Sequence, residues 1–190
     1  VCIVAVIAIT VFATSFCMLS STVISREGRN VFFMKYIPMS YKKQYLAKLL
    51  PGILISIVTS AGYSVVGMIV FSIVCDISIP VWAVLFAIAI SLVLSVLFNI
   101  VEIIPDMIKP KLVWETEQAA VKQNFVSIIP MLLIMILGMA GVVGIVLLKV
   151  KYDFSVIIMA TVFLVSAIVL TVVLYKVGEK IAEKRFALYN

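Results

Sequence analysis

Five stretches of this chain contain no charged residue: Val1–Ser25, Leu49–Cys75, Ile77–Val101, Gln123–Leu148 and Phe154–Tyr175. Each holds 22 or more residues, and at a rise of about 1.5 Å per residue such a helix crosses a hydrocarbon core of roughly 30 Å. A backbone in lipid must satisfy its own hydrogen bonds, which leaves helices or a closed barrel; the runs are continuous rather than alternating, so helices are expected. Composition agrees, because a soluble chain of 190 residues with 65% hydrophobic content and a mean hydropathy of +1.29 has too little polar surface to cover itself. The predicted fold class is all-α, a polytopic transmembrane helical bundle with five visible spans at about 1–24, 51–75, 78–101, 125–148 and 154–175.

Orientation follows from the basic residues. The connector after span one carries Arg26, Arg29, Lys35, Lys42, Lys43 and Lys48; the one after span three carries Lys109, Lys111 and Lys122; the tail carries Lys176, Lys180, Lys184 and Arg185. These thirteen face only Lys149 and Lys151 on the other side. The thirteen-residue side is expected to be cytoplasmic, with the C-terminus inside and the visible N-terminus outside a multi-pass cell-membrane protein. The chain opens on Val1 inside an apolar run, without the basic leader or small-residue cleavage site of a signal peptide. The expectation is the C-terminal part of a longer membrane protein, residues 1–190 forming a single transmembrane domain.

The net charge of +6 does not point to nucleic acid, since the charges cluster at span ends on one face, where lipid headgroups and topology account for them. Histidine is absent, and Cys2, Cys17 and Cys75 lack a CxxC or CxxH partner, so neither a metal site nor Ser-His or Cys-His catalysis is expected. Asp76, Glu102, Asp106 and Asp153 fall at span ends and are read as solvated.

Two connectors have more content than simple loops. In 25–50, Pro38 separates two short segments, and Ser40 is placed to cap the second by accepting from a free amide. Tyr41, Tyr45 and Leu49 form a stripe with Lys42, Lys43 and Lys48 off it, which predicts a helix along the membrane surface. Such an elbow is either an interfacial anchor with snorkelling lysines or a coupling helix that docks on a soluble motor. In 102–124, Pro105 and Pro110 open the segment and a helix is expected to close it. There Glu115 and Glu117 stand near the start and Lys122 near the end, and Trp114 suits the headgroup boundary.

The order Glu27-Gly28, a hydrophobic interval containing Phe32, Ile37-Pro38-Met39-Ser40, then Lys48-Leu49-Leu50-Pro51 resembles the cytoplasmic elbow of ABC transporter permeases of the type-2 exporter group. The Pro110-Lys111-Leu112-x-Trp114-Glu115 stretch with Ala120-Val121-Lys122-Gln123-Asn124 resembles a cytoplasmic segment of permease subunits of that group from Gram-positive bacteria. The resemblance implies a six-span membrane domain, of which spans two to six are visible. It implies a coupling elbow at 25–50 that meets an ATP-binding cassette subunit through Glu27, Gly28, Phe32, Pro38, Ser40 and Lys48. A second cytoplasmic contact, or an interfacial helix, would involve Trp114, Glu115 and Lys122. ATP and Mg would sit on that partner subunit, with no cofactor in this chain, and a second membrane domain would complete the transporter. The chain departs from the family pattern at Arg29 and Asn30, where many members have threonine or leucine and a further glutamate. It also has only Lys149 to Asp153 where many place an external hairpin.

Within the spans, Gly138, Gly141 and Gly144 lack the strand and the GK[ST] of a phosphate loop and are read as helix packing, with Pro130 bending the same span. Ser56, Thr59, Ser60, Ser64, Ser91, Ser95 and Asn99 are read as interhelical hydrogen-bonding groups. The function expected is a permease subunit of an ATP-driven exporter that is not itself an enzyme. The alternatives are a secondary transporter or channel, which calls for ionisable residues within the membrane, a membrane-embedded enzyme, and a non-transporting assembly subunit.

Overall fold

Four of the five apolar runs form long helices. In the computed structural model, which describes residues 8, 19–76, 80–116, 118, 125–152 and 155–188, they are α1 (Tyr41–Cys75), α2 (Val81–Ile108), α3 (Phe125–Tyr152) and α4 (Val156–Phe186). Two 3-10 segments, Ser20–Thr22 and Ser25–Lys35, precede them, and no strand occurs among the described residues. Four helices are long and apolar enough to cross a membrane, over Tyr41–Val74, Val81–Ile108, Ile128–Tyr152 and Ile157–Phe186. The expected first span, 1–24, lies largely outside the described residues.

α2 is the central helix: half of its apolar window is buried within the protein, against 17–22% for the other three. Its sequence allows this, because Ala83, Ala87, Ser91 and Ser95 present small side chains to neighbours over about three turns. Around its first half, Ile90 and Leu94 pack with Met68 of α1, Ile134 of α3 and Ala167 of α4. Around its second half, Ile100, Ile103 and Met107 pack with Ile24, Tyr45 and Phe186.

Two expectations are corrected at this second core. Tyr41–Leu50 is not a separate surface helix, because α1 runs unbroken through Pro51. Proline within a membrane helix is tolerated where neighbouring groups compensate for the lost backbone bond. The stripe meets protein rather than lipid: Tyr45 and Leu49 are fully buried, and Tyr41 sets its ring edge-on to Phe186 with centroids 6.2 Å apart. The partner is the charged end of α4, expected as a tail from residue 176, which continues as helix to Phe186. Lys184 and Arg185 stand in its last turn, where positive charge complements the helix dipole. Gly178 admits the Tyr45 ring, since a Cβ there would overlap the phenol oxygen.

Candidate functional site

The connector end of the bundle brings together most of the residues singled out in the sequence. Ser25–Lys35 is a 3-10 helix interrupted at Gly28, whose φ of 54° and ψ of −132° suit glycine. A Cβ at Gly28 would also lie 2.9 Å from Cζ2 of Trp114, so the indole of the second connector rests on this glycine. Glu27 forms an ion pair with Lys48 of α1. The residues of the Glu27-Gly28 … Lys48 pattern thus have partners within the chain itself.

Pro38 lies in the bend that separates Lys35 from Tyr41, as expected. Ser40 occupies the N-cap position of α1 with extended backbone, but it caps through its carbonyl, which accepts from the Gln44 amide at 3.1 Å, while its hydroxyl makes no capping bond. Gln44 secures the bend: its Nε2 donates to the carbonyls of Met34 and Met39, both at 3.0 Å. Outside this tied loop, Phe32, Phe33, Tyr36, Ile37 and Met39 are exposed, Tyr36 to 77%. Phe32 and Phe33 stack with centroids 4.2 Å apart.

Asp106 ties the elbow to α2. Its carboxylate accepts from the Ile24 amide at 2.7 Å, the Ser25 amide at 3.1 Å and the Ser25 hydroxyl. Ser25 passes the connection on, because its Oγ accepts from the Lys111 amide at 2.8 Å and its carbonyl from Trp114 Nε1 at 2.9 Å. Negative charge at the start of a helix, supplied here from another element, satisfies amides that the helix leaves free. The two connectors and the end of α2 therefore form one hydrogen-bonded joint.

The reading of acidic residues as solvated span ends holds for Asp76, which is exposed at the left-handed end of α1. It fails for Glu102 and Asp106, which are 2% and 0% exposed within α2; Asp153 lies outside the described residues. The reason is that α2 continues past the end of the charge-free run, so both acids turn inward with the face that carries Asn99.

Between α1 and α2 the polar residues form a seam. Ser95 Oγ lies 2.8 Å from Ser60 Oγ, and Asn99 Nδ2 donates to Ser56 Oγ at 2.8 Å while its Oδ1 accepts from Ser20. Gly52 leaves room for this cluster, since a Cβ there would overlap Ser20 Oγ and Asn99 Oδ1. Thr59, Ser64 and Ser91 instead bond carbonyls of their own helices. Glu102, one turn past Asn99, has neither carboxyl oxygen hydrogen-bonded.

Of the remaining predicted residues, Glu115 is exposed and Lys122 lies outside the described residues. A Cβ at Gly141 would lie 3.3 Å from the Phe163 ring of α4, one at Gly144 would meet open space, and Gly138 lines a cavity. That apolar cavity, about 540 Å³, lies between α2, α3 and α4 and is also bordered by Pro130, Phe98 and Leu170. Among the described residues no cluster of three or more metal-ligating side chains occurs.

Ser25 and Gln44 are members of the joint that sequence reasoning missed, and Asp106 of the joint and Glu102 beside it were read as solvated span ends. The period of Asn99, Glu102 and Asp106 along one helix face is the signal that marks the two acids. No family model matches this chain, and neither a curated protein nor a solved structure matches it.

Proposed function

We propose that this chain is the membrane-spanning permease subunit of an ATP-driven ABC exporter, with the joint as the place where a separate ATP-binding subunit docks. The observation that carries the reading is the elbow itself. A short segment is pinned at one end by Asp106 and Lys48 and at the other by Gln44, yet it turns five large apolar side chains outward. A pinned apolar protrusion suits a partner's cleft, because a load applied there reaches α1 and α2 instead of being lost in a loose loop. The thirteen basic residues support a cytoplasmic placement of this end, the side on which an ATP-binding subunit would reside. In this mechanism nucleotide binding closes the motor dimer, the elbow moves, and the helices shift from inward to outward access.

The test is purification of the full-length protein in mild detergent with mass spectrometry of stoichiometric partners. A co-purifying subunit with a Walker-type ATP site is the expected result, and a protein that purifies without one refutes the reading. Glu27→Lys is expected to uncouple ATP hydrolysis from transport while the helices stay folded.

One observation favours a second reading, a secondary transporter. The sequence showed no ionisable group in its charge-free spans, but α2 carries Glu102 and Asp106 buried within a helix able to cross the membrane.

A further inference from the structure

Ser91, Ser95, Asn99, Glu102 and Asp106 recur every three or four residues along α2 and so form one stripe, about 22 Å long at the helical rise. All five are buried. Four of them are satisfied: Ser91 bonds its own helix, Ser95 and Asn99 bond α1, and Asp106 accepts from Ile24 and Ser25. Glu102 alone in the stripe has no hydrogen-bond partner at either oxygen.

A carboxylate withdrawn from water with neither a donor nor a counter-charge is strongly disfavoured, so a group in this position needs a cation of its own. A metal ion requires several oxygen ligands. The oxygens nearest along the stripe are engaged, Asn99 Oδ1 by Ser20 and the Asp106 carboxylate by the elbow. A proton requires only one oxygen.

We propose that Glu102 is a proton-binding site, protonated while the seam is packed as seen here and releasing the proton when α1 and α2 separate enough to admit water. Of the ionisable groups on the surrounding elements, Lys43, Lys109, Lys180, Lys184 and Arg185 are exposed, and the others named here are paired elsewhere or carry no opposing charge. Arg26 donates to the carbonyls of Leu19 and Thr22, Glu27 pairs with Lys48, and Lys176 pairs with Glu179 on α4. Lys42 of α1 pairs with Glu183 of α4. Tyr45 and Tyr175 face each other between α1 and α4, and α3 has no ionisable side chain from Phe125 to Leu148. The site goes beyond the ATP-driven reading, because proton uptake and release at Glu102 requires no motor subunit.

Infrared difference spectra of the full-length protein in lipid bilayers, recorded between mildly acidic and mildly alkaline buffer, test the proposal. The expected result is a carboxylic-acid carbonyl band that is lost in Glu102→Gln and kept in Asp106→Asn. Identical spectra for the wild type and Glu102→Gln overturn it. A second measurement needs no variant: dicyclohexylcarbodiimide, a lipid-soluble reagent that adds to protonated carboxyls, is expected to modify Glu102 of the wild type, as mapped by mass spectrometry. An unmodified Glu102, or labelling shared equally with Asp106, also overturns the proposal. Neither readout involves transport or ATP hydrolysis, so failure here is distinguishable from failure of the exporter reading.

Discussion

Asp106→Ala is expected to release the elbow while leaving the helical bundle intact. The substitution removes the acceptor of two buried backbone amides, Ile24 and Ser25, and of the Ser25 hydroxyl. Each orphaned buried donor costs about 1–3 kcal/mol, roughly 3–9 kcal/mol for the three, and part of that is returned because a buried carboxylate no longer needs to be accommodated, which leaves a net loss of about 2–4 kcal/mol. At 1.4 kcal/mol per factor of ten, the local opening equilibrium of 19–35 rises roughly 30- to 1,000-fold. Amide hydrogen exchange followed by mass spectrometry reads that equilibrium segment by segment. Exchange is expected to accelerate in 19–35 and in 109–114, which Ser25 ties to the same point, while α3 and the first half of α2 keep wild-type rates. Glu102→Gln, in the same helix but without a bond to lose, is the control. Unchanged exchange in 19–35, or equal acceleration in every helix, refutes the role of Asp106 as the clasp.

Three further outcomes follow from the geometry. Gly28→Ala combines a positive φ with a Cβ 2.9 Å from the Trp114 ring; a destabilisation of about 1–3 kcal/mol in thermal unfolding is expected, with Trp114 emission shifted toward that of a more exposed indole. A double-mutant cycle on Glu27 and Lys48 is expected to give a coupling of about 1 kcal/mol or less in the same assay, because the Glu27 side chain is 39% exposed and such pairs are screened. Gly52→Leu, which drives a side chain into Ser20 and Asn99, is expected to lower the thermal midpoint markedly, whereas Gly144→Leu, which meets open space, is expected to leave it nearly unchanged.

Helix content was legible because long charge-free runs admit few alternatives, and Pro38 marked the break before α1 for a local steric reason, whereas the charged extensions at Tyr41–Leu50 and Lys176–Phe186 were not read as parts of the long helices. Glu27, Gly28 and Lys48 stood out by their order, but order says nothing about partners, and theirs prove to be within the chain. Asp106 was misread because its donors stand 81 and 82 residues earlier, a pairing that no local pattern encodes. The glycines teach a similar lesson. The periodic series at 138, 141 and 144 drew attention, yet the positions where a Cβ would collide hardest are Gly52 and Gly178, which belong to no such series and are set by what crosses over each. The stripe on Tyr41, Tyr45 and Leu49 was correctly amphipathic; its apolar face has a protein partner in α4, which periodicity cannot distinguish from lipid.

The continuity of α1 has a mechanical consequence. Thirty-five residues without a break make a rod about 52 Å long, reaching from the bend at Ser40 to the left-handed residue Asp76. Its one point of weakened backbone hydrogen bonding is Pro51, so a tilt at Tyr41 would be carried along the helix with Pro51 as the place where it can bend. Its near end is gripped from the side by Phe186 and Tyr175, close to the elbow. Under the proposed coupling, a displacement at the Phe32–Met39 loop would be handed along α1 to α2 through the Ser56–Asn99 and Ser60–Ser95 contacts that join the two helices.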